Sequence, residues 1–222
     1  MSPQTKICVP IFKPDLNSAL ETANKALKLG ADILELRIDA LKDPDVDKII
    51  NLMDNLDTAI IATNRMAREG GLFKGSETDR TGILRDVAEH VEYVDIELQT
   101  DENLRSKVIE AAKSSIISYH NFEKTPSIEE LLKIVKLERQ IGNLAKFAVM
   151  PRNIGDTIKV LQVLLQVENT IGISMGEIGS YTRVVSSLYG SPITFASLDN
   201  ESAPGQIDIE STRLFLRKFG GE

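Results

Sequence analysis

Eight short apolar runs, rich in β-branched residues, recur through the chain at 6–11, 33–38, 58–63, 93–98, 115–119, 144–150, 170–175 and 193–198. Each has the length and composition of a buried strand. Between several of them the apolar spacing changes to that of a helix. Segment 15–29 sets Leu16, Leu20, Ala23, Ala26 and Leu27 on one stripe and is followed by Gly30, a residue suited to ending a helix. Segments 78–90, 127–141, 153–167 and 209–219 read the same way. Ser127 and Glu130 have the spacing of a capping box, and Asp101, Asn153 and Asp208 read as further helix starts.

Strands separated by helices return in the same direction, so the sheet is parallel and covered by helices. Two architectures compete. A doubly wound nucleotide-binding sheet carries a glycine-rich turn after its first strand, whereas here the first run leads into Pro10-Ile-Phe-Lys-Pro14-Asp. Eight units in 222 residues leave about 28 residues each, which suits a compact (β/α)8 barrel. No low-complexity tract or linker interrupts the rhythm, so the sequence predicts one barrel domain over residues 1–222.

Composition excludes several classes of function. No apolar run reaches the length of a membrane span, and the N-terminal residues lack a secretory pattern. A net charge of −7 argues against a general nucleic-acid binder. One cysteine and two histidines leave little for a disulfide framework or a Cys/His metal centre. The expectation is a cytoplasmic protein of a reducing compartment, working on a small molecule, with neither nucleic acid nor membrane as partner; the sequence leaves a homodimer open.

Barrel active sites lie at the C-terminal ends of the strands. Reading each run with a period of two finds polar residues where a packed barrel would bury apolar ones. Glu35, Arg37 and Asp39 share a face of the second run; Thr63 and Arg65 follow Ile61 on the third; Asp95 and Glu97 align on the fourth; Ser118 and His120 follow Ile116 on the fifth; Lys146 lies on the sixth. The opposite faces are apolar and suit the helix layer, so the polar faces point inward. One such strand would be a structural ion pair. Five together predict a working polar site, because apolar side chains would serve stability as well.

Lys146 stands out, flanked by apolar residues in Leu144-Ala-Lys-Phe-Ala-Val149. The alternative is an edge lysine reaching solvent. Burial disfavours the charged form of an amine, more so beside another cation such as Arg37, and a neutral amine adds to carbonyl carbon to form a Schiff base. His120 ends its strand at the functional rim, where imidazole suits proton transfer, although a hydrogen-bonded structural histidine would also sit there. His90, closing an amphipathic helix, reads as structural. Glu69 precedes Gly70 and Gly71 in the loop after the third run. Arg183 follows the seventh run, where a guanidinium can hold a carboxylate by two parallel bonds. The stretch 199–206, small and polar, has the character of a lid.

Taken in order, Glu35-Leu-Arg37-Ile-Asp39, Thr63-Asn-Arg65, Glu69-Gly-Gly71, Asp95-Ile-Glu97, Ser118-Tyr-His120-Asn-Phe122, Ala145-Lys146-Phe-Ala-Val-Met150-Pro151, Ser174-Met-Gly176, Thr182-Arg183 and Ala203-Pro-Gly-Gln206 resemble type I 3-dehydroquinate dehydratases over nearly the whole chain. Thr182 stands where relatives often carry Ser, a departure that touches no catalytic position. The resemblance implies a (β/α)8 enzyme of the shikimate pathway that converts 3-dehydroquinate to 3-dehydroshikimate without cofactor or metal. It implies that Lys146 forms an imine with the substrate ketone, that His120 moves the protons, and that Glu69 orients His120. Arg183, Ser202 and Gln206 would hold the carboxylate; Glu35, Arg37 and Arg65 would hold the ring hydroxyls. A class I aldolase would use the same lysine but usually carries a glycine-rich phosphate loop, of which the ends of the last two runs show no sign. A barrel that only binds a polyhydroxy acid would have no need of a buried lysine beside a histidine.

Overall fold

All eight runs form parallel strands in the computed structural model, which describes residues 5–198 and 205–219. Among the described residues six helices and two single-turn ones connect them, and a further helix follows the last strand. The strands are β1 (Lys6–Ile11), β2 (Ile33–Arg37), β3 (Ala59–Thr63), β4 (Tyr93–Glu97), β5 (Ser115–Asn121), β6 (Leu144–Val149), β7 (Thr170–Ser174) and β8 (Ile193–Phe195). The helices are α1 (Leu16–Lys28), α2 (Val46–Asp54), α3 (Glu77–Val87), α4 (Glu102–Ala111), α5 (Ile128–Ile141), α6 (Ile154–Leu164), the single turns α7 (Gly176–Gly179) and α8 (Thr182–Val185), and α9 (Ile209–Phe219). Sheet order runs β7-β6-β5-β4-β3-β2-β1-β8, a nearly closed barrel. Among the described residues no ladder joins β7 to β8.

Local chemistry explains the helix boundaries. Ser127 accepts from the Glu130 amide while the Glu130 carboxylate accepts from the Ser127 amide, the capping box that the spacing predicts. Asp15, Asp101 and Asn153 likewise accept from amides of the first turns of α1, α4 and α6. The 78–90 segment divides into α3 and a short 3-10 turn that ends at His90, whose Nδ1 lies 3.1 Å from Asp54 Oδ1. α2 and the single-turn helices were not anticipated.

Two apolar layers follow from the alternation along the strands. Ile7, Val9, Leu34, Leu36, Ile60, Ala62, Val94, Ile96 and Ile117 face the helices. Inside the barrel, Cys8, Ile33, Ile61, Ile116, Ile171, Ile193 and Phe195 pack as a separate cluster, edged by Tyr93 and Leu144. Five inner faces then change character along their strands: Ile33 gives way to Glu35 and Arg37, Ile61 to Thr63, Tyr93 to Asp95 and Glu97, Ile116 to Ser118 and His120, Leu144 to Lys146, whereas β7 and β8 stay apolar with Ile173 and Phe195. The floor of the barrel is thus apolar, and its C-terminal half is polar along β2 to β6 and apolar along β7 and β8. Register keeps the polar residues adjacent, pairing Arg37 with Thr63 and Thr63 with Asp95, and Glu97 with Ser118 and Ser118 with Lys146.

Candidate active site

Above the apolar floor lies a cavity of about 100 Å³ lined by Glu35, Arg37, Arg65, Glu69, His120, Lys146, Arg183 and Gln206, with Pro10, Phe122, Met175 and Phe195 among its apolar walls. Eight of the nine site residues expected from the sequence therefore meet in one place. The ninth, Ser202, lies outside the described residues, as does most of the expected lid.

Lys146 is 4% exposed. Its direct contacts are two carboxylates and a ring: Nζ donates to Asp95 Oδ2 at 2.9 Å, stands 4.0 Å from Glu35 Oε1, and lies 4.3 Å from the centre of the Phe195 ring. The amine is held by a carboxylate below and an aromatic face to one side. Glu35 Oε1 accepts in turn from Thr63 Oγ1 at 2.8 Å.

Asp95 is the residue that sequence reasoning left unassigned. Its Oδ1 accepts from Ser118 Oγ at 2.6 Å and pairs with Arg65 Nη2 at 2.8 Å, while Oδ2 holds Lys146. Burial alone would push this carboxyl up; Arg65, then Lys146, overcome it and hold Asp95 well below the usual carboxylate range. Its place on the polar face of β4 was the available sign. Arg65 is almost fully occupied by the protein itself, since Nη1 also donates to Ser118 Oγ at 2.7 Å and pairs with Glu97 Oε1 at 3.1 Å.

His120 and Glu69 form a second unit. Glu69 Oε2 accepts from the His120 backbone N–H at 3.0 Å and lies 3.0 Å from Nδ1. Burial raises the Glu69 carboxyl to about 7, against the pull of Arg65. Burial also drives the His120 imidazole well below its ordinary range, helped by the cations Arg65 and Lys146. A neutral imidazole whose Nδ1–H is engaged by a carboxylate presents Nε2 as its basic nitrogen. Phe122 stacks near the imidazole with ring centres 6.5 Å apart, and Gly70 lies under that ring, where a Cβ would come within 2.5 Å of it.

Two further arginines reach the cavity. Arg37 forms a fork with Asp39, Nε to Oδ1 at 2.9 Å and Nη2 to Oδ2 at 2.7 Å, and lies over the Phe12 ring. Arg183, on α8, donates from Nε to the Gly205 carbonyl at 2.9 Å and from Nη1 to the Phe195 carbonyl at 3.5 Å. Four cationic side chains thus stand around a space that also admits a neutral histidine, an arrangement suited to an anionic carbonyl compound. Among the described residues no group of three or more His, Cys, Asp or Glu side chains is placed to hold a metal ion, and no helix is long and apolar enough to cross a membrane.

Comparison with known proteins agrees with this fold. The family described as Type I 3-dehydroquinase matches residues 7–221. The chain is 49% identical over 212 residues to the 3-dehydroquinate dehydratase of Methanothermobacter thermautotrophicus, covering 96% of each chain. It is 47% identical over 216 residues to that of Methanobrevibacter smithii, covering 97% of this chain and 96% of the other. It superposes on the crystal structure of 3-dehydroquinate dehydratase from Geobacillus kaustophilus with a TM-score of 0.91 at 28% identity, over 98% of this chain and 91% of that one. With barrel, polar cavity and near-complete coverage in accord, the chain belongs to the type I 3-dehydroquinase family.

Proposed function

We propose that the protein dehydrates 3-dehydroquinate to 3-dehydroshikimate, a step of the shikimate pathway, through an imine on Lys146 with His120 as proton carrier. The observation that carries this reading is the meeting of a buried lysine and a half-buried histidine, whose imidazole is held well below its ordinary range, in one cavity ringed by arginines.

Eliminating water β to a ketone requires a carbanion at the carbon between them, and an unassisted carbanion there is too costly. Lys146 adds to the C3 ketone and, with loss of water, gives an iminium. His120 Nε2 then takes the C2 proton, and the electron pair enters the iminium as an enamine. As the enamine collapses, the C1 hydroxyl leaves with a proton from His120, so one group serves both transfers. Hydrolysis of the imine returns the amine and releases the enone. Glu69 holds the imidazole in the tautomer this requires, as the carboxylate partner does in other histidine-centred sites. Asp95 and Phe195 fix the amine before attack. Arg183, with Ser202 and Gln206, takes the substrate carboxylate, and Glu35, Arg37 and Arg65 take the ring hydroxyls.

The deciding experiment is reduction with borohydride in the presence of 3-dehydroquinate. Hydride converts an imine to a stable secondary amine, so the expected result is irreversible inactivation with ligand mass on Lys146. A ligand adduct on another lysine, or turnover with no trappable adduct, would refute the mechanism.

A further inference from the structure

Arg80 is the largest fully buried side chain among the described residues, and it lies outside the cavity. It projects from α3, on the helix face that also buries Leu84 and Val87. A buried guanidinium is tolerated only when its donors are answered. Nε and Nη2 form a fork with Glu77 at 2.9 and 2.8 Å, and Nη2 also donates to Thr100 Oγ1 at 2.9 Å. Nη1 donates to the Asn64 carbonyl and to Glu97 Oε2, both at 2.7 Å.

Those last two bonds point at the cavity. Glu97 divides its oxygens: Oε2 faces Arg80, while Oε1 pairs with Arg65 Nη1 and accepts from the Met66 backbone N–H, each at 3.1 Å. Asn64 and Met66 are the chain neighbours of Arg65. The Arg80–Glu97 pair therefore grips the backbone on both sides of Arg65 and touches its guanidinium as well. An apolar residue at position 80 would remove one partner of a buried pair and leave Glu97 with one cation instead of two. Carboxylate and guanidinium prefer to meet side by side through two bonds. Glu97 would then claim both Nη groups of Arg65, drawing them from Asp95 Oδ1 and Ser118 Oγ, which stand at 2.8 and 2.7 Å.

We infer that Arg80 is a positioning residue for the reaction: by occupying one oxygen of Glu97 it keeps the Arg65 guanidinium on Asp95 and Ser118, oriented for substrate. The part concerning substrate rests on the proposed function, in which Arg65 holds a ring hydroxyl; the part concerning geometry does not.

The test is Arg80→Met, which keeps length and removes charge, beside the charge-balanced double variant Arg80→Met/Glu97→Gln. Kinetic constants are expressed per active site titrated by borohydride trapping, so that misfolded protein does not count. In crystals of Arg80→Met, Arg65 should pair with both oxygens of Glu97 and leave Ser118. Its KM for 3-dehydroquinate should rise about tenfold, the scale of one lost charged hydrogen bond, with a smaller change in kcat. In the double variant Arg65 should return to Asp95 and Ser118, and KM should recover to within about threefold of wild type. A merely structural Arg80 would lower the unfolding midpoint of both variants and leave KM per site unchanged. Arg65 still on Asp95 and Ser118 in Arg80→Met would overturn the inference. If Arg80→Met does not fold, the double variant decides alone: Arg65 displaced there, or a tenfold KM, would overturn it. Wild-type protein inactive on 3-dehydroquinate would sink the proposed function, while the crystal structures would still decide the positioning role.

Discussion

Glu69→Gln should make the protein more stable and less active, and the gain should depend on pH in a defined way. Glu69 is 3% exposed, and burial pushes its carboxyl up to about 7 from the ordinary 4.5. One of its oxygens, Oε1, is buried with no hydrogen-bond partner among the described residues, so ionisation places charge where only part of it is answered. The folded state then holds its proton to higher pH than the unfolded state. Stability is accordingly lost as pH rises from 4.5 towards 7, and stays lost above that. A shift of this size corresponds to about 3 kcal/mol. Gln imitates the neutral carboxyl and escapes the loss. Below pH 4 the two proteins should unfold at similar urea concentrations. By pH 8 the variant should be ahead by about 3 kcal/mol, or roughly 6–12 °C in melting temperature for a chain of this size. The amide oxygen can still accept from the His120 backbone and ring N–H groups, so the histidine keeps its place, but the variant loses the negative charge that steadies a protonated imidazole and kcat falls. The measurement is a pair of urea titrations at half-unit pH steps, since the difference between the two proteins cancels the other titrating groups. A difference that stayed flat with pH, or a variant less stable at pH 8, would refute the reasoning.

Other expectations follow from the same geometry. His120→Ala should lower kcat by about 10²- to 10⁴-fold, with a borohydride adduct still forming on Lys146; near-native turnover would move the base elsewhere. Arg183→Ala should weaken binding by about 1.5–3 kcal/mol, read mainly in KM because the substrate carboxylate keeps its charge throughout the reaction. Unchanged KM would place the carboxylate away from α8. Gly71→Ala should cost about 1–3 kcal/mol in urea unfolding, because an added Cβ would stand 1.9 Å from the Arg65 carbonyl oxygen. KM should rise with it as Arg65 shifts, and wild-type values of both would show that the loop moves aside freely.

The strands were legible because a buried parallel strand leaves a run of β-branched residues, and the polar inner faces because five strands broke that rule with the same period. Lys146, His120 and Glu69 could be picked out together with the arginines of the cavity. The other features leave weak or misleading signs in the sequence. α2 spans nine residues, too short for two full repeats of a stripe. α7 and α8 are single turns within a loop. Arg80 shares a stripe with Leu84 and Val87, yet an arginine among charged residues on a helix ordinarily faces water, and only its partners Glu97 and Asn64 show otherwise. Asp95 was visible as an inward carboxylate. Its division between Arg65 and Lys146 depends on the register of β4, β5 and β6, which no single strand contains.

Among the described residues no ladder joins β7 to β8, which gives the barrel a seam, and Arg183, on α8 between the two strands, reaches across to β8. Along the rest of the wall, neighbouring strands are sewn by backbone bonds that cannot be opened singly without cost to the sheet. Here Arg183 reaches the Phe195 carbonyl at the end of β8 and the Gly205 carbonyl beyond it, and its own carbonyl accepts from Thr194. If Arg183 takes the substrate carboxylate as proposed, the anion draws the guanidinium from those carbonyls while every strand pairing stays intact. On that proposal the stitch that fastens the wall at its weakest line would be the same group that receives the cargo, and a filled barrel would be fastened differently from an empty one.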